Sequence, residues 1–388
     1  SLQHLFAMFS STVLVPILFH VNPATVLLFN GIGTLFYLIL CKGKIPAYLG
    51  SSFAFLSPVF IVLSEHSYEA ALGGFIIVGI VFCLVSLIVH TIGTSWIDVI
   101  FPPASMGAIV AVIGLELMPT AAGMAGLTAE KVDPTVVFVS IATLAITIFA
   151  SMAFRGFLSI IPILIGVVSG YVIAYAAGIV DLAAVESAPW FAIPTIYTPK
   201  FDLGAILIIL PASIVVIVEH IGHLIVTGNI VGRNLAKDPG LDRSLLGNGI
   251  STIFSGFFGS TPNTTYGENT GVLELSKVHD PRVIRLAALY AIILSFSPKF
   301  AEVITTMPAA IIGGISFILY GMISAIGVRN VVENRVDFTR TRNLIIAAVI
   351  LVSGLGFSNG LTFQVGSAHI TLTSLYPRHC HERHPPRQ

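Results

Sequence analysis

The chain has 388 residues, of which 55% are hydrophobic and only 10% are charged, and its mean hydropathy is +0.94. A soluble domain typically has about 25% charged residues, so this composition excludes a soluble globular enzyme, a disordered segment and a nucleic-acid-binding protein. Basic and acidic residues balance at 19 each, and the three scattered cysteines suggest no disulfide framework or cysteine-based metal site. We therefore expect a polytopic membrane protein.

Apolar stretches long enough to cross a bilayer follow one another along the chain. A transmembrane helix needs about 20 apolar residues, and the stretches between polar breaks give thirteen candidate spans. They are predicted near residues 2–19, 23–41, 47–63, 70–90, 104–119, 134–154, 157–179, 203–227, 244–259, 260–276, 282–298, 303–327 and 343–357. The pair covering 244–276 is the weakest, because both spans are short and rich in Gly, Ser and Thr.

The lysines and arginines predict the orientation of these spans. With a cytoplasmic N-terminus, the external loops hold only Lys131, Lys200 and Lys299. Cytoplasmic loops are typically enriched in basic residues, so the bias favours this orientation and an even number of crossings between residues 243 and 277. The cytoplasmic loops then hold thirteen basic residues, namely Lys42, Lys44, Arg155, Arg233, Lys237, Arg243, Lys277, Arg282, Arg285, Arg329, Arg335, Arg340 and Arg342.

Two short polar motifs recur at the same offset along the chain. Gln3–His4 in the first predicted span is echoed by Glu219–His220 in the eighth. Gly50–Ser52 in the third is echoed by Gly259–Thr261 at the start of the tenth. Because seven spans separate each pair, the second unit would be inverted relative to the first. Inverted repeats with unwound segments in matching positions are typical of secondary transporters.

Two ionisable side chains lie one helical turn apart inside a predicted span. Glu219 and His223 share a helix face and can hydrogen-bond, whereas His220 is rotated off that face by about 100°. Buried ionisable groups are costly in a bilayer and mark ion or substrate pathways. A carboxylate beside an imidazole can exchange protons near neutral pH. We therefore favour a functional site over the alternative, a polar pair that only joins two helices.

A second polar stretch, Ser260–Gly271, has hardly an aliphatic side chain and cannot face lipid as a helix. Non-helical backbone at membrane depth is tolerated where it lines a cavity, so we predict an extended stretch and then a half-helix that begins near Glu268. In the matching segment Gly50–Phe55, Phe53 is predicted to face Tyr266 across a flat aromatic ligand. The alternative is an extramembrane loop between two spans.

Three other classes of function fit the sequence less well. A membrane metalloenzyme using Glu219, His220 and His223 is a remote alternative, because its histidines are three apart and no further cluster supplies a third ligand. Two lone glutamates in an inverted repeat suit alternating access better than the charged ring of an ion channel. No sequence resembles a phosphate-binding loop, so ATP is not expected to drive the protein directly. We expect a transporter and not an enzyme.

The motifs at these sites resemble those of a known family. The run E-H-x-G-H that begins at Glu219, the stretch Ser260–Asn269 and the segment Gly50–Phe55 closely resemble the bacterial uracil permeases. These permeases belong to the nucleobase–ascorbate transporter family, also called nucleobase:cation symporter 2. The resemblance runs from Ser1 to about Asn359. It implies import of uracil by proton symport across the bacterial cytoplasmic (inner) membrane, with no cofactor and the proton as coupling ion.

The fold that the resemblance implies is all-α, with fourteen segments in two inverted seven-segment repeats. Segments one to four and eight to eleven form a core domain, and the remaining segments form a gate domain. Segments three and ten are broken by short β-strands. In this chain the core would comprise residues 1–98 and 203–302, and the gate residues 99–202 and 303–388. The implied partners are membrane lipid and a second copy bound through the gate.

The resemblance also implies roles for individual residues. Glu219 and Glu268 would hydrogen-bond uracil. Phe53 and the backbone of Gly267 would complete the pocket, with Tyr266 bordering it.

Proton coupling and substrate choice follow from the same resemblance. His223 would couple to Glu219 in proton translocation, and Tyr320 would lie where the core meets the gate. The sequence resembles that of uracil permeases at two places linked to substrate choice. Glu268 stands before Asn-x-Gly, and Gly222 stands before His223. Xanthine and other purine carriers show Gln and Gly-Asp at these places. A purine permease of the same family stays the alternative.

Both ends of the chain depart from the family pattern. A fourteenth span should follow residue 359, but the sequence from 364 onwards is too polar to cross lipid. The chain also opens inside an apolar stretch with no initiator Met. We therefore expect a missing N-terminal piece and a gate that lacks its last helix.

Overall fold

The computed structural model describes residues 1–94, 96, 102–159, 161–356, 361–365 and 368–372, and most of these are helical. Only the backbone of residues 9–11, 157, 268, 275, 361–365 and 368–372 is described. The predicted polar tail at 376–384 therefore falls beyond the described residues.

The first half is mostly helical. They are α1 (Leu2–Leu18), α2 (Pro23–Leu40), α3 (Leu56–Glu65), α4 (Tyr68–Ile92), α5 (Pro103–Glu116), α6 (Met118–Met124), α7 (Pro134–Ala153), α8 (Pro162–Ala176) and α9 (Ala183–Ser187). A three-residue strand, β1 (Leu49–Ser51), and a 3-10 turn (Phe53–Phe55) precede α3.

The second half has the same make-up. Its helices are α10 (Leu203–Ile209), α11 (Ala212–Val231), α12 (Leu241–Phe258), α13 (Gly267–Ser276), α14 (Pro281–Ser295), α15 (Pro298–Thr305), α16 (Ala309–Glu333) and α17 (Thr341–Gly356). Strand β2 (Asn263–Thr265) precedes α13, and β3 (Leu361–Val365) pairs with β4 (Ala368–Leu372) in a hairpin that the sequence did not predict.

Most predicted spans coincide with helices, and the differences have local causes. The span predicted at 134–154 is α7, and that at 23–41 is α2. The span predicted at 203–227 is divided into α10 and α11 at Pro211, because proline lacks the N–H that a continuing helix needs. The span judged weakest, at 244–259, is the continuous 18-residue helix α12.

Long apolar helices identify a multi-pass membrane protein. Among the described residues, six helices or joined helix pairs are long and apolar enough to cross a membrane, or seven if α14 and α15, bent by 86°, count as one span. Helix α7 exposes large apolar side chains, with Phe138 63%, Phe149 62% and Met152 82% exposed. Such a surface is stable against lipid and unfavourable in water.

The helices pack in two groups. In the first group, α12 lies along α4 and α2, and α14 lies against α2 and α1. In the second group, α16 lies against α5, α6 and α7, with α17 on α5 and α8 on α7. Helix α11 contacts α12 and α4 of the first group and α5 of the second.

Glycines allow the closest helix crossings in both groups. A Cβ added at Gly79 of α4 would lie 2.7 Å from the carbonyl oxygen of Gly249 on α12. A Cβ added at Gly107 of α5 would lie 2.7 Å from the carbonyl oxygen of Gly327 on α16. Small residues let helix backbones approach closely in membranes, where van der Waals packing drives helix association. Each group is therefore a tightly packed unit.

Candidate functional site

Two short strands meet between the helices and bring two helix N-termini to the same region. Strands β1 and β2 pair antiparallel, with Leu49 opposite Thr265 and Ser51 opposite Asn263. The 3-10 turn and α3 continue from β1, and α13 continues from β2. Both helices therefore begin within a few residues of the sheet. Helix N-termini carry partial positive charge and backbone N–H donors.

One side chain from α2 and one from the turn before β2 support β1. The backbone N–H of Leu49 donates to the Thr34 hydroxyl at 3.0 Å. The Ser51 hydroxyl lies 2.6 Å from that of Thr261 and is fully buried. Strand groups buried in a membrane protein need such partners, since no water is available to replace them.

A polar stripe on α12 supports β2. The Asn263 side-chain amide donates to the hydroxyls of Ser251 at 2.6 Å and Ser255 at 3.1 Å. Its backbone N–H donates to the Thr252 hydroxyl at 3.2 Å. These contacts fix the strand against the helix that precedes it in the chain.

Replacing Asn263 with alanine is expected to destabilise the protein by about 1–2 kcal/mol, because it removes two buried hydrogen-bond donors. The change is measured as a lower apparent melting temperature of the purified protein in detergent. Asn334→Ala, at an exposed asparagine, is the matched control and should leave the melting temperature unchanged. Equal melting curves for Asn263→Ala and the native chain would show that these bonds do not hold the strand.

The predicted residues of α11 face the end of β2 and the start of α13. His223 Nδ1 lies 3.2 Å from the Thr265 hydroxyl, and a Cβ added at Gly267 would lie 3.3 Å from His223 Nε2. Glu219 is half-buried one turn earlier on the same helix. Helix α11 also contacts the 3-10 turn that contains Phe53. The structure thus gathers α11, the Phe53 turn and the start of α13 around one point.

Phe53 and Phe55 play different parts in the 3-10 turn. Phe55 is fully buried and meets Phe75 edge to face at 6.2 Å, so it anchors the turn to α4. Phe53 is only half-buried. The Ser52 side chain accepts a hydrogen bond from the Ala54 N–H at 3.4 Å and starts the turn.

Tyr266 packs against β1 and α1. Its ring stacks on Tyr48 at 6.5 Å, and its hydroxyl lies 3.3 Å from both the Ser51 carbonyl oxygen and the Thr12 hydroxyl. The side chain is 5% exposed and lies directly over Gly50, leaving no room for a Cβ there. Its role at the border of a ligand pocket stays a prediction.

The other predicted residues are placed as follows. Glu268 is the second residue of α13, and its side chain lies outside the described residues. Tyr320 is fully buried on α16, in the second helix group, and its hydroxyl has no hydrogen-bond partner among the described residues. The described part of the chain brings no three His, Cys, Asp or Glu residues together in a way that could hold a metal ion.

Two polar contacts near the site were not predicted. Asn269 on α13 donates to the carbonyl oxygen of His4 at 3.1 Å, so His4 pairs with the opposite half of the chain. His220 is fully buried, and its Nε2 lies 2.8 Å from the Ser244 hydroxyl on α12. In the sequence, the only indication of such contacts was the Ser- and Thr-rich composition of α12, and we interpreted it only as evidence against a transmembrane span.

Comparison with known proteins shows the family to which the chain belongs. Residues 1–363 match the model of the Permease family. The chain is 58% identical over 373 residues to the uracil permease of Escherichia coli (strain K12), covering 95% of this chain and 86% of that protein. It is 44% identical over 367 residues to the uracil permease of Bacillus subtilis (strain 168), covering 92% of this chain and 84% of that protein.

Two solved structures share the fold. The transmembrane domain of the cyanobacterial bicarbonate transporter BicA matches with a TM-score of 0.71 and 15% identity, over 92% of this chain and 94% of that one. Murine Solute Carrier 26 family member A9, an anion transporter in the inward-facing state, matches with a TM-score of 0.63 and 12% identity, over 96% and 70%. At such identities the likeness concerns the fold alone.

Proposed function

The chain belongs to the Permease family, whose model covers most of its length, and on that premise we propose that it imports uracil by proton symport. One observation carries the proposal above all, namely 58% identity over 95% of the chain to a uracil permease. The family also agrees with the multi-pass helical architecture. The proposed location is the bacterial cytoplasmic membrane, with the N-terminus inside because the predicted cytoplasmic loops hold most of the lysines and arginines.

The chemistry of uracil suits the residues gathered around the strands. Uracil has two ring N–H donors and two carbonyl acceptors. In the proposed pocket, the carboxylates of Glu219 and Glu268 accept from the N–H groups, and the backbone N–H at Gly267 donates to a carbonyl oxygen. Phe53 packs against one face of the ring, with Tyr266 at the border. Contacts of α11 with the Phe53 turn, β2 and α13 support this arrangement.

Coupling to protons is assigned to the face of α11 that meets β2. An external proton taken up around Glu219 and His223 would favour uracil binding, and both would leave on the inside after the core moves against the gate. The two helix groups support a division into core and gate, with Tyr320 in the gate group. Inverted repeats, a gate-mediated homodimer and contacts with lipid belong to the same proposal, which needs no cofactor besides the proton.

A purine permease of the same family is the second candidate. Glu268 before Asn-x-Gly and the pair Gly222–His223 favour uracil over xanthine. Curated relatives named uracil permease at 58% and 44% identity favour it as well.

Uptake into proteoliposomes tests both the substrate and the coupling. The purified 388-residue chain is reconstituted, and labelled uracil uptake is measured with and without an inward proton gradient, in competition with unlabelled uracil or xanthine. We expect gradient-dependent uptake that unlabelled uracil blocks and xanthine does not. Uptake blocked by xanthine would favour the purine permease, and uptake that ignores the gradient would contradict proton symport.

His223→Ala is expected to weaken transport more than binding, because His223 is proposed to move the proton and not to hold the ring. Gradient-driven uptake should fall by about 10-fold or more, while labelled uracil still binds to the purified protein. The pH dependence of uptake should change as well. An unaltered pH profile in this variant would remove His223 from the coupling step.

A further inference from the structure

Three fully buried polar side chains form a hydrogen-bonded chain beside the proposed pocket. The Tyr37 hydroxyl lies 2.7 Å from the Ser244 hydroxyl, and Ser244 lies 2.8 Å from His220 Nε2. All three side chains are 0% exposed. They come from α2, α12 and α11, so the hydrogen bonds link two helices of the first group to α11. The proposed substrate pocket uses none of these three residues.

Polar atoms around this chain lack partners. Among the described residues, His220 Nδ1 has no hydrogen-bond partner, and neither polar atom of the Asn248 carboxamide has one. Asn248 is 0% exposed and lies one turn after Ser244 on the same face of α12. Ser244 contacts the His220 ring at Nε2, so Asn248 lies one turn of α12 away from the residue that meets His220.

Packing alone explains part of this polar face but not Asn248. Ser251 and Ser255 are small, so they permit close helix packing, and they accept hydrogen bonds from Asn263. Asn248 is larger and makes no such bond within the described part of the chain. Buried polar groups are normally satisfied, and internal water satisfies them where protein groups do not. Asn248 and His220 thus point to a buried water site.

We propose that Asn248 holds a buried water beside His220, and that His220, Ser244 and Tyr37 pass the transported proton towards the cytoplasm. The inference rests on the proposed function, since it gives an inward route to the proton that accompanies uracil. His220 is next to Glu219 and three residues from His223, so it adjoins the residues assigned to proton uptake.

The route balances at every step. The water held by Asn248 receives the proton released around Glu219 and His223 and gives one of its protons to His220 Nδ1, and His220 gives its Nε2 proton to the Ser244 oxygen. Ser244 passes its own proton to the Tyr37 oxygen, and Tyr37 gives its own proton to water that reaches the cytoplasmic end of α2. Each group then reorients, and none keeps a net charge.

The direction of the route follows from the predicted topology. Tyr37 lies three residues before α2 ends at Leu40, next to a loop that holds Lys42 and Lys44 and is predicted to be cytoplasmic. Around this end, the Cys41 sulfur lies 3.9 Å from the Arg243 carbonyl oxygen.

Net uptake and exchange measured on the same variants test the route. A symporter loaded with uracil and proton can exchange its uracil without releasing the proton, whereas net uptake requires release. In Tyr37→Phe and Ser244→Ala, we expect proton-driven net uptake to fall by about 10-fold or more. Uracil–uracil exchange and uracil binding should stay within about 2-fold of the native chain, since a factor of two in binding is under 0.5 kcal/mol.

Two further variants separate the route from packing. Asn248→Leu keeps roughly the side-chain volume but cannot hold water, so it should show the same split between net uptake and exchange. Tyr48→Phe is the matched control, because Tyr48 is also fully buried and its hydroxyl has no partner among the described residues. It should leave net uptake, exchange and binding unchanged.

Each possible result supports or overturns the proposed proton route. Native net uptake in Tyr37→Phe and Ser244→Ala overturns the route, and so does a parallel loss of net uptake and exchange, which indicates a structural role. A native chain that imports uracil without proton coupling overturns the route together with the coupling. A native chain that binds no uracil overturns the proposed function itself.

Discussion

Glu219→Gln and Glu268→Gln are each expected to lower the affinity for uracil by about 100-fold or more. Each carboxylate is proposed to accept a hydrogen bond from a ring N–H, and such charged bonds are worth about 1.5–3 kcal/mol. The substituted amide also places its own N–H group where an acceptor is needed. The measurement is equilibrium binding of labelled uracil to the purified full chain.

Glu274→Gln is the control for these variants. Glu274 lies on the same helix as Glu268 but is exposed, so its loss of charge should leave uracil binding unchanged. If either Glu219→Gln or Glu268→Gln bound uracil with native affinity, the proposed pocket would be wrong. If Glu274→Gln lost binding as well, the effect would reflect the helix as a whole and not the carboxylate at its start.

Gly50→Ala is expected to abolish uracil binding. The added Cβ would overlap the ring of Tyr266, which is held between Tyr48 and β1. Tyr266 cannot move away from the added Cβ, because Tyr266 and the Tyr48 ring stacked on it are both buried. The clash must therefore separate β1 from β2 or move the start of α13, where Gly267 and Glu268 lie. Binding of labelled uracil and the yield of folded protein in detergent are the measurements.

Gly271→Ala is the matched control, because a Cβ at Gly271 meets no atom within 4 Å. It lies on α13, one turn after Gly267, and alanine favours a helix more than glycine does. This variant should bind uracil as the native chain does. Native binding by Gly50→Ala would mean that the strands do not hold the pocket in register.

Helix positions could be predicted from the sequence because they depend on local properties. Apolar runs between polar breaks located α2 and α7, and the polar stretch after Ser260 placed a helix start near Glu268, against the observed start at Gly267. A helix satisfies its own backbone hydrogen bonds, so its position in a membrane protein follows from the length and apolarity of the segment.

Contacts between distant segments could not be predicted in the same way. The register of Leu49 with Thr265, and the bond from Asn269 to His4, join residues more than two hundred positions apart. The Ser244 contact with His220 depends on how α11 and α12 face each other. A single sequence shows which residues are polar but not which of them meet. The roles of Phe53, Tyr266 and Tyr320 depend on such meetings.

The pairing of β1 with β2 also constrains how the protein is made. A chain is synthesised from its N-terminus, so β1 leaves the ribosome long before its partner strand exists. Until residues 263–265 arrive, the backbone groups of Leu49–Ser51 have no strand to pair with, although lipid offers them no substitute. The central sheet therefore forms late in biogenesis. Until then the inserted first half is an incomplete intermediate, and its unpaired strand must be kept out of contact with lipid.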